Sequence, residues 1–262
     1  MKIKPKKSLG QNFLTDKNVI DIISNLEEVK NKSILEVGPG TGNLTTNLLK
    51  KNPKKFFVIE KDNELVTLLK KNFNKEITII NDDILKIDEE KFFESKIIVF
   101  GNLPYNISTQ ILAKWIKLKN LNFIFKKLIL MFQKEVADRI LASTGEKQYG
   151  RLSILSAWRM NIKKIKEVSP NSFYPSPKVK STILLFEPKK NYFDIKNPKN
   201  LEFVTNSFFG NKRKMIKKPL KAIFNNTGKI SNKLKIDITE RPQNLPPDTY
   251  FKICKEYENL FF

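Results

Sequence analysis

The run Ser33-Ile34-Leu35-Glu36-Val37, which breaks into glycines at positions 38, 40 and 42, constrains this chain more than any other feature in it. A short apolar run of this kind suits a strand buried on both faces of a parallel sheet. The residues after it, Asn43 to Lys51, read as a helix stopped near Pro53. Glycines at such a handover let the backbone approach a ligand at the C-terminal edge of the sheet. The spacing is G-x-G-x-G, not the G-x-G-x-x-G of dinucleotide binders, and Pro39 removes an amide that could have cradled a pyrophosphate. A ligand with an amino-acid moiety and no phosphate fits better. Taken alone, the loop could equally be a tight turn.

The same alternation continues along the chain. Strands are expected at Phe56–Ile59, Ile77–Ile80, Ile97–Phe100 and Leu128–Phe132. Helices are expected at Asn63–Phe73, where Leu65, Leu68, Leu69 and Phe73 fall on one face, and at Ser108–Leu118 and Lys134–Leu141. Repeated strand–helix units predict an α/β fold with a parallel sheet covered on both faces. Near Glu187-Pro188-Lys189-Lys190 the strand signals stop and helical ones take over, so a catalytic domain is expected over 1–188 and a helical, RNA-binding domain over 189–262. Pro219 sits inside a helical pattern and is expected to kink or end a helix.

Two further strand ends carry acids. Glu60 closes the second strand, where a carboxylate can accept both hydroxyls of a ribose; the competing reading is a capping or solvated acid beside Lys61-Asp62. Asp83 follows the third strand and could accept from an adenine amino group, with the Ile84 side chain covering the ring. Glycine loop, Glu60 and Asp83 together describe a pocket for an adenosine joined to an amino acid, as S-adenosylmethionine requires.

The fourth strand runs into Gly101-Asn102-Leu103-Pro104-Tyr105. The adenine N6 amine is a poor nucleophile because its lone pair is delocalised into the ring. The Asn102 side-chain oxygen and the Leu103 carbonyl can each accept one N–H and aim the lone pair at a methyl donor. Pro104 stiffens the turn, and Tyr105 offers a face for a base, worth about 1–3 kcal/mol. The chain has no histidine, which excludes Ser-His-Asp and Cys-His catalysis. Transfer from a sulfonium needs no strong base, so the reading stands without an imidazole. Cytosine C5 methylation needs a cysteine nucleophile, and the single cysteine, Cys254, lies far from these motifs.

Charge bears on the partner. A net charge of +22 favours a polyanion. Five arginines against 44 lysines also fit compositional drift that decorates solvated faces. Residues 189–262 carry 16 basic and 7 acidic residues, with the densest cluster at Lys212-Arg213-Lys214, Lys217, Lys218 and Lys221. No apolar run is long enough to span a membrane and no signal peptide is evident. A cytoplasmic, metal-free protein is therefore expected, and a monomer fits docking on a large RNA surface.

These motifs together resemble the ribosomal small-subunit RNA adenine N6,N6-dimethyltransferases, the KsgA family. The similarity is carried by Ser8–Leu14, Glu36–Gly42, Glu60, Asp83, Asn102–Tyr105, Phe132–Val136, Tyr149–Ser153 and Phe173–Ser181. It is strong over residues 6 to about 187 and weaker at Phe209–Lys214 and Arg241–Leu245, where Pro242 and Gln243 replace more usual small and acidic residues. The resemblance implies a Rossmann-like, S-adenosylmethionine-dependent catalytic domain with a small C-terminal helical domain. It implies that Gln11, Asn12 and Leu14 line the methionine side of the cofactor, and that Glu36, Gly38, Gly40, Glu60, Asp83, Ile84 and Asn102 contact it. Phe173 would be the second wall of an aromatic sandwich with Tyr105, and Arg151, Lys212, Arg213 and Lys214 would meet RNA. The implied product is two adjacent dimethyladenines near the 3′ end of small-subunit RNA, made on the immature subunit. The alternatives are a large-subunit adenine methylase of the macrolide-resistance type, and a ribosome-assembly factor without catalysis.

Overall fold

The structure is a computed structural model that describes residues 4–93 and 95–261. The chain forms two compact units. The first holds the residues up to Ala137 together with Asn161–Pro188, and the second holds Asp138–Met160 and Lys189 onward.

In the first unit, strands β1 (Phe13–Leu14) to β6 alternate with helices. They are α1 (Lys17–Asn25), β2 (Ser33–Val37), α2 (Asn43–Leu49), β3 (Lys55–Ile59), α3 (Asn63–Phe73), β4 (Thr78–Ile80), α4 (Glu89–Phe92), β5 (Ile97–Asn102), α5 (Ser108–Ile116), α6 (Leu121–Ile124) and β6 (Phe125–Gln133). After α7 (Lys134–Leu141) and α8 (Arg151–Arg159) come β7 (Met160–Val168), β8 (Phe173–Tyr174) and β9 (Ser181–Pro188). The main sheet runs β4-β3-β2-β5-β6-β9-β7. Pairs β2–β3, β2–β5, β3–β4 and β5–β6 are parallel, as the repeating pattern implies. The purely parallel expectation fails on one side, because β9 pairs antiparallel with β6, Ser181 opposite Gln133. Strand β1 leaves the main sheet and forms a two-residue ribbon with β8.

The central strands are apolar because helices cover both faces. Ile34, Val58, Ile98 and Phe100 join Val19, Ile20 and Ile23 of α1 and Leu44 and Leu48 of α2 in one cluster. Helix starts are fixed locally: the Asp16 carboxylate accepts from the Asn18 amide at 2.9 Å, and Asp62 accepts from Glu64 at 3.1 Å. Such caps contribute about 1 kcal/mol each. They set where α1 and α3 begin, and so where the strand-end loops stop.

The second unit is helical: α8, α9 (Pro198–Phe209), α10 (Lys217–Ile223), α11 (Thr227–Leu234) and α12 (Pro247–Phe261). The expected boundary at 188/189 coincides with the last passage of the chain into this unit. Residues 138–160 also join it, because α8 packs on α9 and α12. The buried Glu258 carboxylate accepts from the amides of Lys196 and Asn197, both at 2.9 Å, at the start of α9. Pro219 neither kinks nor ends a helix. It stands in the first turn of α10, where its missing N–H has no helical acceptor to lose. Cys254 is buried here, and burial pushes its thiol up to about 12, so it is no nucleophile at neutral pH.

Candidate active site

Strand order places the ends of β2, β3, β4 and β5 side by side at the C-terminal edge of the first unit. Their loops enclose one cleft of about 1160 Å³ counting its open mouth. It is lined by residues 8–14 and by Glu36, Gly38, Gly40, Glu60, Lys61, Asp83, Ile84 and Asn102–Ile107. The cleft sits beside the point where the strand order reverses around β2, the position at which open α/β sheets bind ligands.

The glycine loop is close-fitting. Gly40 has φ +59°, and a Cβ there would stand 2.8 Å from the Phe13 ring. Phe13 therefore seals the loop as only glycine permits. The Gly38 amide donates to the Ile59 carbonyl at 3.0 Å, holding the ends of β2 and β3 together.

Three carboxyl groups behave differently because their surroundings differ. Glu36 is 2% exposed, accepts from the Thr45 hydroxyl at 2.7 Å, and is pushed up to about 8 by burial. Burial also raises Glu60, though amides of Asp62, Gly40 and Lys61 favour its charged form. The capping reading for Glu60 gives way: its neighbour Asp62 caps α3. Asp83 is held below the usual range; burial opposes ionisation, and the Lys61 ammonium at 2.9 Å and the Leu85 amide at 3.0 Å outweigh it.

An N-terminal strap crosses the cleft. The Gln11 side chain accepts from the Lys6 amide at 2.7 Å and donates to Asp62 at 2.8 Å, while the Lys6 ammonium bonds the other Asp62 oxygen at 2.7 Å. Asn43 donates to the Leu14 carbonyl at 2.8 Å. Gln11, Asn12 and Leu14 all line the cleft, but the polar ends of Gln11 are spent on anchoring the strap.

The Asn102–Tyr105 turn closes the far side. Asn102 Nδ2 donates to the Asn12 carbonyl at 2.7 Å, which commits the donor end of the amide and leaves Oδ1 as an acceptor. The Pro104 carbonyl takes the Ile107 amide at 3.1 Å and the Tyr105 carbonyl takes the Ser108 hydroxyl at 3.3 Å, so α5 begins directly after the turn. The Tyr105 hydroxyl bonds Ser181 at 2.5 Å. Burial raises the phenol, which stays protonated.

Phe173 is the residue that the resemblance assigns to the second wall of a sandwich with Tyr105. It is 4% exposed and belongs to the apolar cluster beneath β1, not to the cleft lining. The β1–β8 register explains this: Phe173 lies opposite Leu14 on the inward face, so Tyr174 points out. The candidate RNA contacts Arg151, Lys212, Arg213 and Lys214 all belong to the second unit. Arg151, Arg213 and Lys214 are exposed, whereas Lys212 is half-buried and donates to the Lys147 carbonyl at 2.9 Å.

Sequence reasoning missed Asp62, Asn43, Lys114 and Ser181. Lys114, on α5, donates to the carbonyls of Ile84 and Ile87 and to Glu89. It ties the loop of Asp83 and Ile84 to the helix that follows the catalytic turn. Their ties to the cleft are not local, since each reaches a partner more than twenty positions away.

Comparison with known proteins agrees with this geometry. A family model described as ribosomal RNA adenine dimethylase matches residues 2–259. The chain is 56% identical over 260 residues to the ribosomal RNA small subunit methyltransferase A of Pelagibacter ubique, covering 99% of each chain. It is 39% identical to the protein of that name from a Wolbachia of Drosophila simulans, covering 99% of this chain and 96% of the relative. Among solved structures, a dimethyladenosine transferase from Plasmodium falciparum superposes with a TM-score of 0.78 at 26% identity, covering 94% of this chain and 98% of the other. The 23S rRNA methyltransferase ErmE shares the fold with a TM-score of 0.70 at 18% identity, covering 94% of this chain and 100% of that one. With a family model spanning nearly the whole length and relatives matched end to end, this chain belongs to the ribosomal RNA adenine dimethylase family.

Proposed function

We infer that this chain is a methyltransferase that uses S-adenosylmethionine to dimethylate N6 of adenine in small-subunit ribosomal RNA. The observation that carries the reading is the Asn102–Asn12 bond, which fixes an amide oxygen as acceptor at the edge of a cleft built for an amino acid joined to a nucleoside.

The residues present fit such a cofactor. Glu36, half-way to ionised at about pH 8, suits an α-ammonium group. Glu60 suits ribose hydroxyls, and Asp83 with Ile84 suits an adenine, the carboxylate having lone pairs to spare beyond Lys61. Gly38 and Gly40 bring the backbone close, and the strap of Gln11, Asn12 and Leu14 covers the methionine end. When bound, S-adenosylmethionine supplies an electrophilic methyl group on a sulfonium that departs as a neutral thioether.

The chain's own residues do the rest by alignment and electrostatics. In the first round Asn102 Oδ1 and the Leu103 carbonyl each accept a hydrogen bond from one N6–H and direct the lone pair across the cleft. Tyr105 supports the flipped base. After the new N–C bond forms, N6 sheds its surplus proton to water, since no imidazole exists in the chain to take it. A second round acts on the monomethylated amine, whose one remaining N–H bonds a single one of these two acceptors.

The substrate we propose is a pair of adjacent adenines near the 3′ end of the RNA, in the immature small subunit, met by a monomer in the cytoplasm. Relatives named for the small subunit match the whole chain, whereas the large-subunit enzyme ErmE shares only the fold, so the macrolide-resistance alternative is set aside. The test is transfer of labelled methyl groups to immature small subunits, followed by mass mapping of the RNA. Transfer that disappears in Asn102→Ala supports the reading; binding of subunits without transfer by the unaltered protein makes it an assembly factor and refutes catalysis.

A further inference from the structure

Between the strand that carries Phe173 and Tyr174 and the strand that carries Ser181 lies a six-residue loop, Pro175–Lys180. At its start, Tyr174 is the register partner of Phe13, the ring that seals the glycine loop. Paired residues project to the same face, so Tyr174 lies on the face of the ribbon that carries Phe13. At its end, Ser181 is fully buried and bonds the Tyr105 hydroxyl. The Lys180 carbonyl accepts from the Lys134 amide at 2.9 Å, which holds the loop where it enters that strand.

What this rim presents is unusual. Tyr174 is 62% exposed and Val179 is 44% exposed, although a tight β-ribbon could have turned either inward. Lys178 and Lys180 are exposed, and neither is in an ion pair among the described residues. No acid occurs between Ser169 and Glu187. A rigidly held aromatic face with unpaired cations beside it is the combination that single-stranded nucleic acid selects, because every base has a π-face and every nucleotide a phosphate. A protein surface would more often match two lysines with acids and bury the apolar pair together.

We propose that Tyr174 is a stacking platform for an unpaired nucleobase next to the target adenine, with Lys178 and Lys180 holding the adjoining phosphates. Phe173, facing inward, anchors this platform in the core. The inference deepens the methyltransferase reading and rests on it: in that reading the target base lies at Tyr105, whose hydroxyl bonds Ser181 at the end of this loop.

The experiment compares Tyr174→Ala, Tyr174→Phe and the double variant Lys178→Ala/Lys180→Ala with the unaltered protein. It measures steady-state methylation of immature small subunits, equilibrium binding of protein-free small-subunit RNA, and cofactor affinity. Tyr174→Ala is expected to raise KM for subunits and Kd for free RNA about tenfold, with kcat and cofactor affinity unchanged. Tyr174→Phe keeps the ring and is expected to match the unaltered protein. The lysine variant is expected to flatten the salt dependence of RNA binding. Unchanged RNA affinity in Tyr174→Ala overturns the proposal, as does a Phe variant as impaired as Ala. An effect on subunits with none on free RNA assigns the contact to a protein and also overturns it. If the unaltered protein transfers no methyl group to RNA, the functional reading itself fails and this proposal falls with it.

Discussion

Asn102 and Asn12 share a 2.7 Å hydrogen bond that joins the catalytic turn to the N-terminal strap. The bond separates two roles that alanine alone would merge. Asn102→Ala removes acceptor and donor together, and methyl transfer should fall by about 10²–10³, the cost of losing one well-aimed electrostatic partner. Asn102→Asp keeps an oxygen facing the substrate but sets a carboxylate against the Asn12 carbonyl. Single-turnover transfer should fall as far, and calorimetry should show weaker cofactor binding than in the alanine variant, because repulsion lifts the strap. An aspartate variant with near-normal cofactor affinity would show that the strap does not depend on this bond.

Lys114 acts at a distance from the chemistry. Its ammonium holds the Ile84 carbonyl at 2.8 Å and the fully buried Glu89 at 2.7 Å. Lys114→Met should lower stability by about 3 kcal/mol, because Glu89 then stays buried without its partner. Adding Glu89→Gln should recover much of that loss, since the amide oxygen can still accept from the Trp115 indole. Cofactor affinity should stay reduced in the double variant, because the Ile84 loop has lost its tie. Denaturant melts read the first effect and calorimetric titration the second; recovery of both together would reduce Lys114 to a structural ion pair.

Glu36 gives the molecule a pH signature. Its ordinary value of 4.5 rises to about 8 in the fold. Between those values the folded chain keeps a proton that the unfolded chain releases, so stability falls as pH rises through this window and levels off above it. Glu36→Gln should flatten that part of the Tm profile. A cation bound beside Glu36 restores its charge, so cofactor binding near pH 7 should release close to one proton in the unaltered protein and none from this site in the glutamine variant. Calorimetry in buffers of different ionisation heat measures the count; equal release by both would place the ammonium elsewhere.

The basic cluster makes a narrower prediction than its sequence implies. Lys212 is engaged with the Lys147 carbonyl, while Arg213 and Lys214 are exposed. Replacing Arg213 and Lys214 by alanine should reduce the slope of log affinity against log salt by roughly 0.7–0.9 per charge. Replacing Lys212 should change it less. A slope that Lys212→Ala alone lowers as much as the pair would assign the phosphate contact to Lys212.

How much of this was visible beforehand follows from where each signal resides. Strands β2, β3 and β5 and helix α3 were legible because helices cover both faces of the sheet, leaving unbroken apolar runs and one clean helical stripe. Strand β7 was not: Met160–Val168 lies at the sheet edge with Lys163, Lys164 and Lys166 facing water, so its pattern reads as a charged loop. The two-residue ribbon β1–β8 is too short for any period. The strand-end acids Glu60 and Asp83 were legible from position alone, whereas Lys114 and Ser181, and Asp62 beyond its local cap of α3, act through remote partners. At Phe173 the motif located the segment, and a one-residue alternation set which of its two aromatics is buried and which is exposed.

The ribbon between Phe13 and Tyr174 has a consequence for how the protein is born. Half of the strap's pairing, and the serine that holds Tyr105, come from residues 173–181. A ribosome making this chain must finish about two-thirds of it before the strap gains its ribbon partner, although its bonds to Asn43, Asp62 and Asn102 involve residues made earlier. Until then the nascent sheet has glycine loop and acids in place and its mouth unframed. Methylation competence is therefore a late event in synthesis, and a chain cut short before residue 173 could build its central strands and still have no working site.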